Sequence, residues 1–356
     1  MNEKMQQTVV TIKDVADYVG VHRSTASKVL NNDKNFKSCN KTRKRILRAA
    51  ERLGFVRNDS FHAPVGVRNF GLIMMGWFDR ADNPFYSEVF DGINAQAHKE
   101  KLNMYLVNTL EKLNLLHLLR QEHFMGIITI GGAMEELLAP FELTQKPLIG
   151  IEAPGYLNSS VLYTVRTDSF QNMYRAARYV IQAGHKHIYY IGFTDNGKEP
   201  LASYERYEGV HAALKEAQLF TGRNKYLAEH IDKGNEYDTA TDAGYRAMMQ
   251  LLQNNPPLPL ACVCYSDLHA EGAGMAAKER GLRIPEDVSL VGYDNINRAQ
   301  EMSPPLTTTN VPRFELGCQA IRILLEIEQG IALHDTILPT NLVIRQSVLN
   351  ILKESN

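Results

Sequence analysis

The sequence predicts a small all-α head followed by an α/β core of two doubly wound, parallel-sheet subdomains. Three observations predict it. The 356 residues carry an ordinary apolar share of 44%, with 22% charged, enough to bury full cores and unlike disordered, collagen-like or coiled-coil chains. The first 60 residues hold three short helical patterns and are basic, with 13 Lys/Arg against 6 Asp/Glu; the rest hold 26 against 34. From residue 70 onward, short runs that are apolar throughout alternate with amphipathic stretches. That alternation marks βαβ units, and uninterrupted apolar runs mark strands covered on both faces.

The head comes first. In TIKDVADYVG, residues Ile12, Val15, Ala16 and Val19 share one helical face, and Gly20 suits a left-handed stop. In the next pattern Ala26, Val29 and Leu30 face inward, leaving His22, Arg23, Ser24, Thr25, Ser27 and Lys28 on the outer face or at its start. A third pattern, NKTRKRILRAAERLGF (40–55), turns Ile46, Ala49, Ala50 and Leu53 inward. Three short helices sharing one small core form a helix-turn-helix unit. Its second helix offers a polar, basic face of a size that enters the major groove of DNA.

The core follows as apolar runs at 70–77, 103–108, 126–132 and 147–154, with helical spacing at 83–101 and near 112–122 and 134–142. The series resumes with a helix at 169–183, a run at 187–193, and a helix at 203–218. A strand near 226–231, a helix at 239–253, LACVCY (260–265), a helix at 267–281 and VSLVGYD (288–294) complete it. Two such series imply two subdomains with a ligand cleft beyond the carboxyl ends of their strands.

Several chemistries are excluded. Cys39, Cys262, Cys264 and Cys318 are too scattered for a disulfide framework. Cys262 and Cys264 share a face of a buried-looking strand and read as core thiols, with no further metal ligands nearby. Gly272-Ala-Gly274-Met-Ala-Ala277 fits a loose dinucleotide pattern but falls inside a helix, away from any helix N-terminus. His185 and His187, in a helix-to-strand loop, read as surface residues. There is no P-loop, no H-E-x-x-H and no G-x-S-x-G. No enzyme, cofactor or metal is expected. Residues 1–10 lack an apolar stretch of signal-peptide length, and no run approaches a bilayer span. A cytoplasmic, nucleoid-associated protein without membrane contact is the expectation.

The chain resembles the LacI/GalR family of bacterial transcription regulators. The stretches TIKDVADYVGV, STASKVLNN, KTRKRILRAAERLGFVRN, NPFYSEVFDGI, YERYEGV, AGHKHIYYIG, SDLHAEGAGMAAKERGLRIPEDVSLVGYDN, SPPLTTTNVPRFELG and LPTNLVIRQS carry the resemblance, in this order, over residues 8 to 350. It implies a homodimeric repressor with a periplasmic-binding-protein-like core. The core closes on a small effector, a sugar or sugar derivative first and a nucleoside second, and the heads bind a near-palindromic double-stranded operator. The implied divisions are a DNA-binding head at 8–57, a hinge at 58–69, one core subdomain from 70–165 and 311–340, and the other from 166–310 and 341–352. Carried over by position, Arg23, Ser24, Thr25 and Lys28 match the base-reading and phosphate-anchoring face, and Thr11 and Asn31 match backbone contacts. In the core, Arg206 and Asp294 match effector-binding positions. Ser266 stands where many relatives have Asn, and Phe85 and Tyr86 stand where relatives place an aromatic or apolar contact. Asp168 is read as the cap of the helix that follows it.

This chain departs from the family pattern in three places. His22 replaces the usual Ser at the start of the second helix; His is a poor cap, so a DNA contact is expected of it instead. The loop NDKNFKSC is longer than usual, and its Lys34 and Lys37 are expected to add phosphate contacts. Pro64 falls where relatives carry the leucine of a hinge helix, so an extended hinge is expected, with Phe61 or Pro64 as loosely placed wedge candidates. Two other functions share parts of this pattern. A solute-binding protein of a transport system has the same core, but it would need a signal peptide and no basic head. A Rossmann dehydrogenase would need a glycine-rich turn after its first core strand, and GLIMMGWFDR has none.

Overall fold

The computed structural model describes residues 12–30, 40–53, 68–74, 83–107, 112–120, 124–130, 135–153, 159–192, 201–220, 225–227 and 239–354. Thr11, Asn31, Lys34, Lys37 and the hinge residues Phe61 and Pro64 lie outside them. The chain divides into two compact units, one of residues 1–67 with 109–124, which holds the head, and one of residues 68–108 with 125–356, which holds nearly all of both sheets.

Three helices build the head: α1 (Ile12–Val19), α2 (Arg23–Leu30) and α3 (Asn40–Leu53). Val15, Ala16, Val19, Ala26, Val29, Leu30, Ile46 and Ala49 form its buried cluster. These are periodic apolar positions of the sequence, with Ile12 partly buried beside them and the side chains of Ala50 and Leu53 outside the description, so helix formation here rests on burying one face of each short helix. The turn between α1 and α2 is fixed by Gly20 at φ +70°. The Gly20 amide donates to Asp17 O (3.2 Å) and the Val21 amide to Ala16 O (2.9 Å), which together close the end of α1. Arg45 of α3 donates to the Val19 carbonyl at 2.9 Å, placing a cation at the negative end of α1.

The core elements follow in chain order. They begin with β1 (Asn69–Met74), α4 (Pro84–Lys99), β2 (Asn103–Leu106), α5 (Lys112–Leu119), β3 (Phe124–Ile130) and α6 (Glu135–Thr144). Next come β4 (Leu148–Ile151), β5 (Leu162–Thr167), α7 (Ser169–Gln182), β6 (His187–Gly192), α8 (Leu201–Glu216) and β7 (Lys225–Leu227). Then α9 (Ala240–Gln253), β8 (Leu260–Cys264), α10 (Asp267–Glu279), β9 (Val288–Asp294) and α11 (Asn297–Glu301) follow. The series ends with β10 (Thr307–Asn310), α12 (Arg313–Glu328), β11 (Asp335–Leu338), β12 (Asn341–Val343) and α13 (Ile351–Glu354).

Two six-stranded sheets result, ordered β11-β5-β4-β3-β1-β2 and β12-β10-β9-β8-β6-β7. The pairs β1/β2, β3/β4, β4/β5 and β5/β11 are parallel in the first. In the second, β6/β7, β6/β8, β8/β9 and β9/β10 are parallel, and β12 runs antiparallel to β10. Among the described residues the chain passes between the sheets after β5, after β10 and after β11. Strand order reverses at β1/β3 and at β6/β8, and such reversals open a crevice at the strands' carboxyl ends. The central strands β3, β4, β8 and β9 are buried along their whole length.

The structure corrects some of the sequence reading. The strand β5 is absent from the apolar-run pattern because Tyr163 and Arg166 interrupt it with half-buried positions. His185 is buried rather than on the surface. Its Nε2 pairs with the Leu349 carbonyl at 3.1 Å, and burial holds its pKa below the ordinary value. Gly272 lies inside α10, and a Cβ there would stand 1.9 Å from the Thr241 carbonyl of α9. The glycine allows α10 to pack closely on α9.

Candidate functional site

Two sets of residues carry chemistry, one in each unit. In the head, His22, Arg23, Ser24 and Lys28 are exposed on one side of α2, with Thr25 half-buried beside them. His22 corrects its expectation. It does cap α2: the Ser24 amide donates to His22 Nδ1 at 3.3 Å, and the Ser24 hydroxyl pairs with the same nitrogen at 2.8 Å. The amides of Thr25 and Ala26 donate to the His22 carbonyl at 2.9 and 3.2 Å. Both contacts to Ser24 use the same ring nitrogen, Nδ1. Arg23 and Lys28 are the exposed cations of α2, a bidentate donor and a point charge.

In the core, functional side chains come together from strand ends and from the helices α4 and α8. Arg206, on α8, is only 5% exposed. Its guanidinium lies 3.9 Å from the Tyr293 ring centroid and 4.3 Å from that of Tyr265. It donates to the Tyr265 carbonyl at 2.8 Å, while its Nε has no partner among the described residues. Burial alone would favour loss of its proton, but Tyr265, Tyr293, Asp294 and Glu152 outweigh that and hold the charge. Asp294 ends β9 and is 7% exposed. Burial raises its carboxyl above the usual range, against the pull of Arg206 and Arg313. Glu152 follows β4 and accepts the Thr167 amide at 2.8 Å; burial raises it too, opposed first by Arg206. The hydroxyl of Tyr293 pairs with Thr167 (3.0 Å) and Ser169 (3.4 Å) and accepts from Asn172 Nδ2 (3.1 Å). Tyr86, in the first turn of α4, is raised by burial and by the neighbouring Tyr265 and Asp294.

The structure therefore brings together Tyr86, Arg206 and Asp294 from the sequence expectation and adds Glu152, Tyr265 and Tyr293. Two other expected residues are engaged elsewhere. Phe85 packs in the hydrophobic core, edge-on to Tyr86 at 5.0 Å between centroids. Ser266 caps α10, its hydroxyl accepting the His269 amide (3.4 Å) and pairing with His269 Nδ1 (2.8 Å). Asp168 caps α7 as expected, accepting the Gln171 amide at 2.9 Å. Glu152 had a sequence signal, since it stands directly after the apolar run PLIGI.

A helix-turn-helix head joined to a two-sheet cleft protein defines a ligand-responsive regulator of transcription. The chain belongs to the LacI family: it is a DNA-binding transcriptional regulator with a small-molecule effector. Residues 11–58 match the family described as bacterial regulatory proteins, lacI family. Residues 177–348 match the periplasmic binding protein-like domain. The chain is 31% identical over 341 residues to the HTH-type transcriptional repressor CytR of Escherichia coli strain K12, covering 93% of each chain. It is 28% identical to the HTH-type transcriptional repressor PurR of Haemophilus influenzae strain PittEE, covering 97% of this chain and all of that one. Among solved structures, a putative transcriptional regulator LacI from Bacillus cereus subsp. cytotoxis superposes with a TM-score of 0.68 at 26% identity, over 80% of this chain and 99% of that one.

Proposed function

We propose that this protein is a homodimeric repressor that binds a near-palindromic operator through α2 and releases or holds it according to a small uncharged polyol, a sugar or sugar derivative. One observation carries the effector reading: Arg206, buried, with an Nε unpartnered among the described residues, lies among Asp294 and Tyr293 of β9, Glu152 after β4, Tyr265 after β8 and Tyr86 of α4. A guanidinium and carboxylates fixed in one crevice suit adjacent hydroxyls, which need donors and acceptors together. The surrounding carboxylates disfavour an anionic ligand. In the head, Arg23 reads base edges, Lys28 holds phosphate, and Ser24 and Thr25 supply short-range hydrogen bonds. His22 adds a DNA contact, and Thr11, Asn31, Lys34 and Lys37 add backbone contacts. The hinge at 58–69 separates the head at 8–57 from the core. The core divides near the expected boundaries of 70–165 with 311–340, and 166–310 with 341–352, except that β1 begins at Asn69 and β5 carries the first sheet on to Thr167, two residues past the expected break. The protein acts on DNA in the cytoplasm.

The test is thermal unfolding of the full-length protein against D-glucose, D-ribose, cellobiose, adenosine and cytidine. A ligand that binds only the folded state raises the midpoint with concentration. At least one sugar is expected to do so with wild type and not with Arg206→Met. A shift with nucleosides alone would replace the polyol with a nucleoside. An unchanged shift in Arg206→Met would remove Arg206 from the site.

A further inference from the structure

Arg313 is the first residue of α12, where the helix dipole favours anions and disfavours a cation. It is nonetheless 5% exposed and fully engaged. Its Nε and one terminal nitrogen donate to Glu88 Oε2 of α4 at 2.8 and 2.5 Å. Its other terminal nitrogen donates to the Asp294 carbonyl, and a further bond of 3.2 Å reaches the Asn295 carbonyl. Those two carbonyls belong to an unusual pair. Asp294 has φ +108° and Asn295 φ +55°, a backbone region that side-chain-bearing residues rarely adopt and that persists only where the surroundings enforce it.

The other side of this loop is held by the second sheet. The Asn295 amide donates to Thr308 Oγ1 (3.3 Å), its side chain pairs with Asn310 (2.8 Å) and Arg345 (2.7 Å), and the Ile296 amide donates to Asp267 Oδ2 (2.8 Å). The α12 and α4 helices pack on each other, and α12 also packs on β4 and β5 of the first sheet. Arg313 thus ties an element of the first sheet's layer to a strained loop of the second. Glu88 stands two residues from Tyr86 in α4, and the loop begins at Asp294, so the tie joins the two elements that carry these site residues.

We propose that Glu88 and Arg313 form a clasp between the subdomains, with Arg313 as a positioning residue. The clasp holds the Asp294–Asn295 backbone in its left-handed turn and links that turn to α4. Closing or opening of the cleft on an effector then acts on the same two carbonyls that Arg313 grips. Arg is suited to this, because its planar fork reaches a carboxylate on one edge and carbonyls on the other, which a lysine point charge cannot do. Only the consequence for the effector rests on Asp294 facing it; the clasp itself does not.

The test is amide hydrogen exchange of the full-length protein without ligand, read on the Asn295 and Ile296 amides. Arg313→Gln is expected to speed exchange there at least tenfold. Glu88→Gln, which leaves every direct contact of the loop in place, is expected to speed the same two amides severalfold, with the interior of β9 and the helix α10 unchanged. Arg313→Lys should resemble Arg313→Gln. Glu88 is half-exposed, so its variant remains informative should the buried Arg313 variants fold poorly. Wild-type exchange at 295 and 296 in Glu88→Gln would overturn the clasp, because Arg313 would then hold the loop without help from α4. That outcome is independent of whether any sugar or nucleoside binds.

Discussion

The head and the core solve opposite problems with the same side chains. Among the described residues of the head eight buried apolar side chains form one cluster, and the chemistry lies outside on exposed Arg23 and Lys28. In the core the chemistry is inside: Arg206, Asp294 and Arg313 are buried, and each is held by partners drawn from distant parts of the chain. A polyanion such as DNA is met by solvated charges whose counterions it displaces. A small neutral ligand gives little surface, so its recognition needs desolvated groups fixed in advance. The first arrangement costs little to fold and little to mutate. The second places carboxyls where their own ionisation opposes stability.

The largest expected effect bears on the small cluster of the head. Ile46 is fully buried there, and Ile46→Ala should cost about 2–5 kcal/mol, a large share of what so small a cluster supplies. Calorimetry should show the head's transition lost or greatly lowered, operator binding lost with it, and the core's transition in place. A matched fall of both transitions would mean that the two units do not fold as separate clusters.

A smaller effect separates the units by pH. Burial raises the carboxyls of Asp267 and Asp294, and the charge of Asp294 pushes Asp267 further. Asp14 and Asp17 in α1 are exposed. For a carboxyl raised in the folded state, the folded protein keeps a proton that the unfolded chain has released. Its stabilising contribution is therefore complete below the unfolded value near pH 4 and is lost as pH rises through the raised folded values. Core stability in urea should decline from about pH 4 toward neutral and above, by about 1.4 kcal/mol for each unit of raised pKa. Asp267→Asn should flatten the decline. A core that gains stability over that interval would contradict the burial of these groups as ionisable acids.

The same contrast explains what the sequence made legible. The head could be read residue by residue, because its inward and outward faces follow from local helical spacing, and Val15, Ala26 and Ile46 are buried where that spacing puts them. The strands of the core were legible as apolar runs, and Arg206 and Asp294 through the motifs that carry the family resemblance. Glu152, Tyr265 and Arg313 were not singled out, because their roles depend on which strand ends meet across two sheets. Spacing along the chain does not encode that. His22 failed differently: propensity ranks His low as a cap, yet Nδ1 lies close enough to the Ser24 amide to serve. At Ser266 the sequence did not reveal the cap that its hydroxyl makes on α10, which depends on where His269 falls in the helix.

The most direct test is an operator titration by fluorescence anisotropy, using a site selected from randomised duplex DNA. Wild type, Arg23→Ala and Arg206→Met are each titrated against the selected site and a scrambled one, with and without the sugar that raises the wild-type melting midpoint. Arg23→Ala is expected to lose about 1–3 kcal/mol at the selected site, to lose far less at the scrambled one, and to keep its response to the sugar. Arg206→Met is expected to bind the selected site as wild type does and to ignore the sugar. Equal losses at both sites in Arg23→Ala, or an undiminished sugar response in Arg206→Met, would contradict a division of labour between an exposed reading face and a buried sensing cleft.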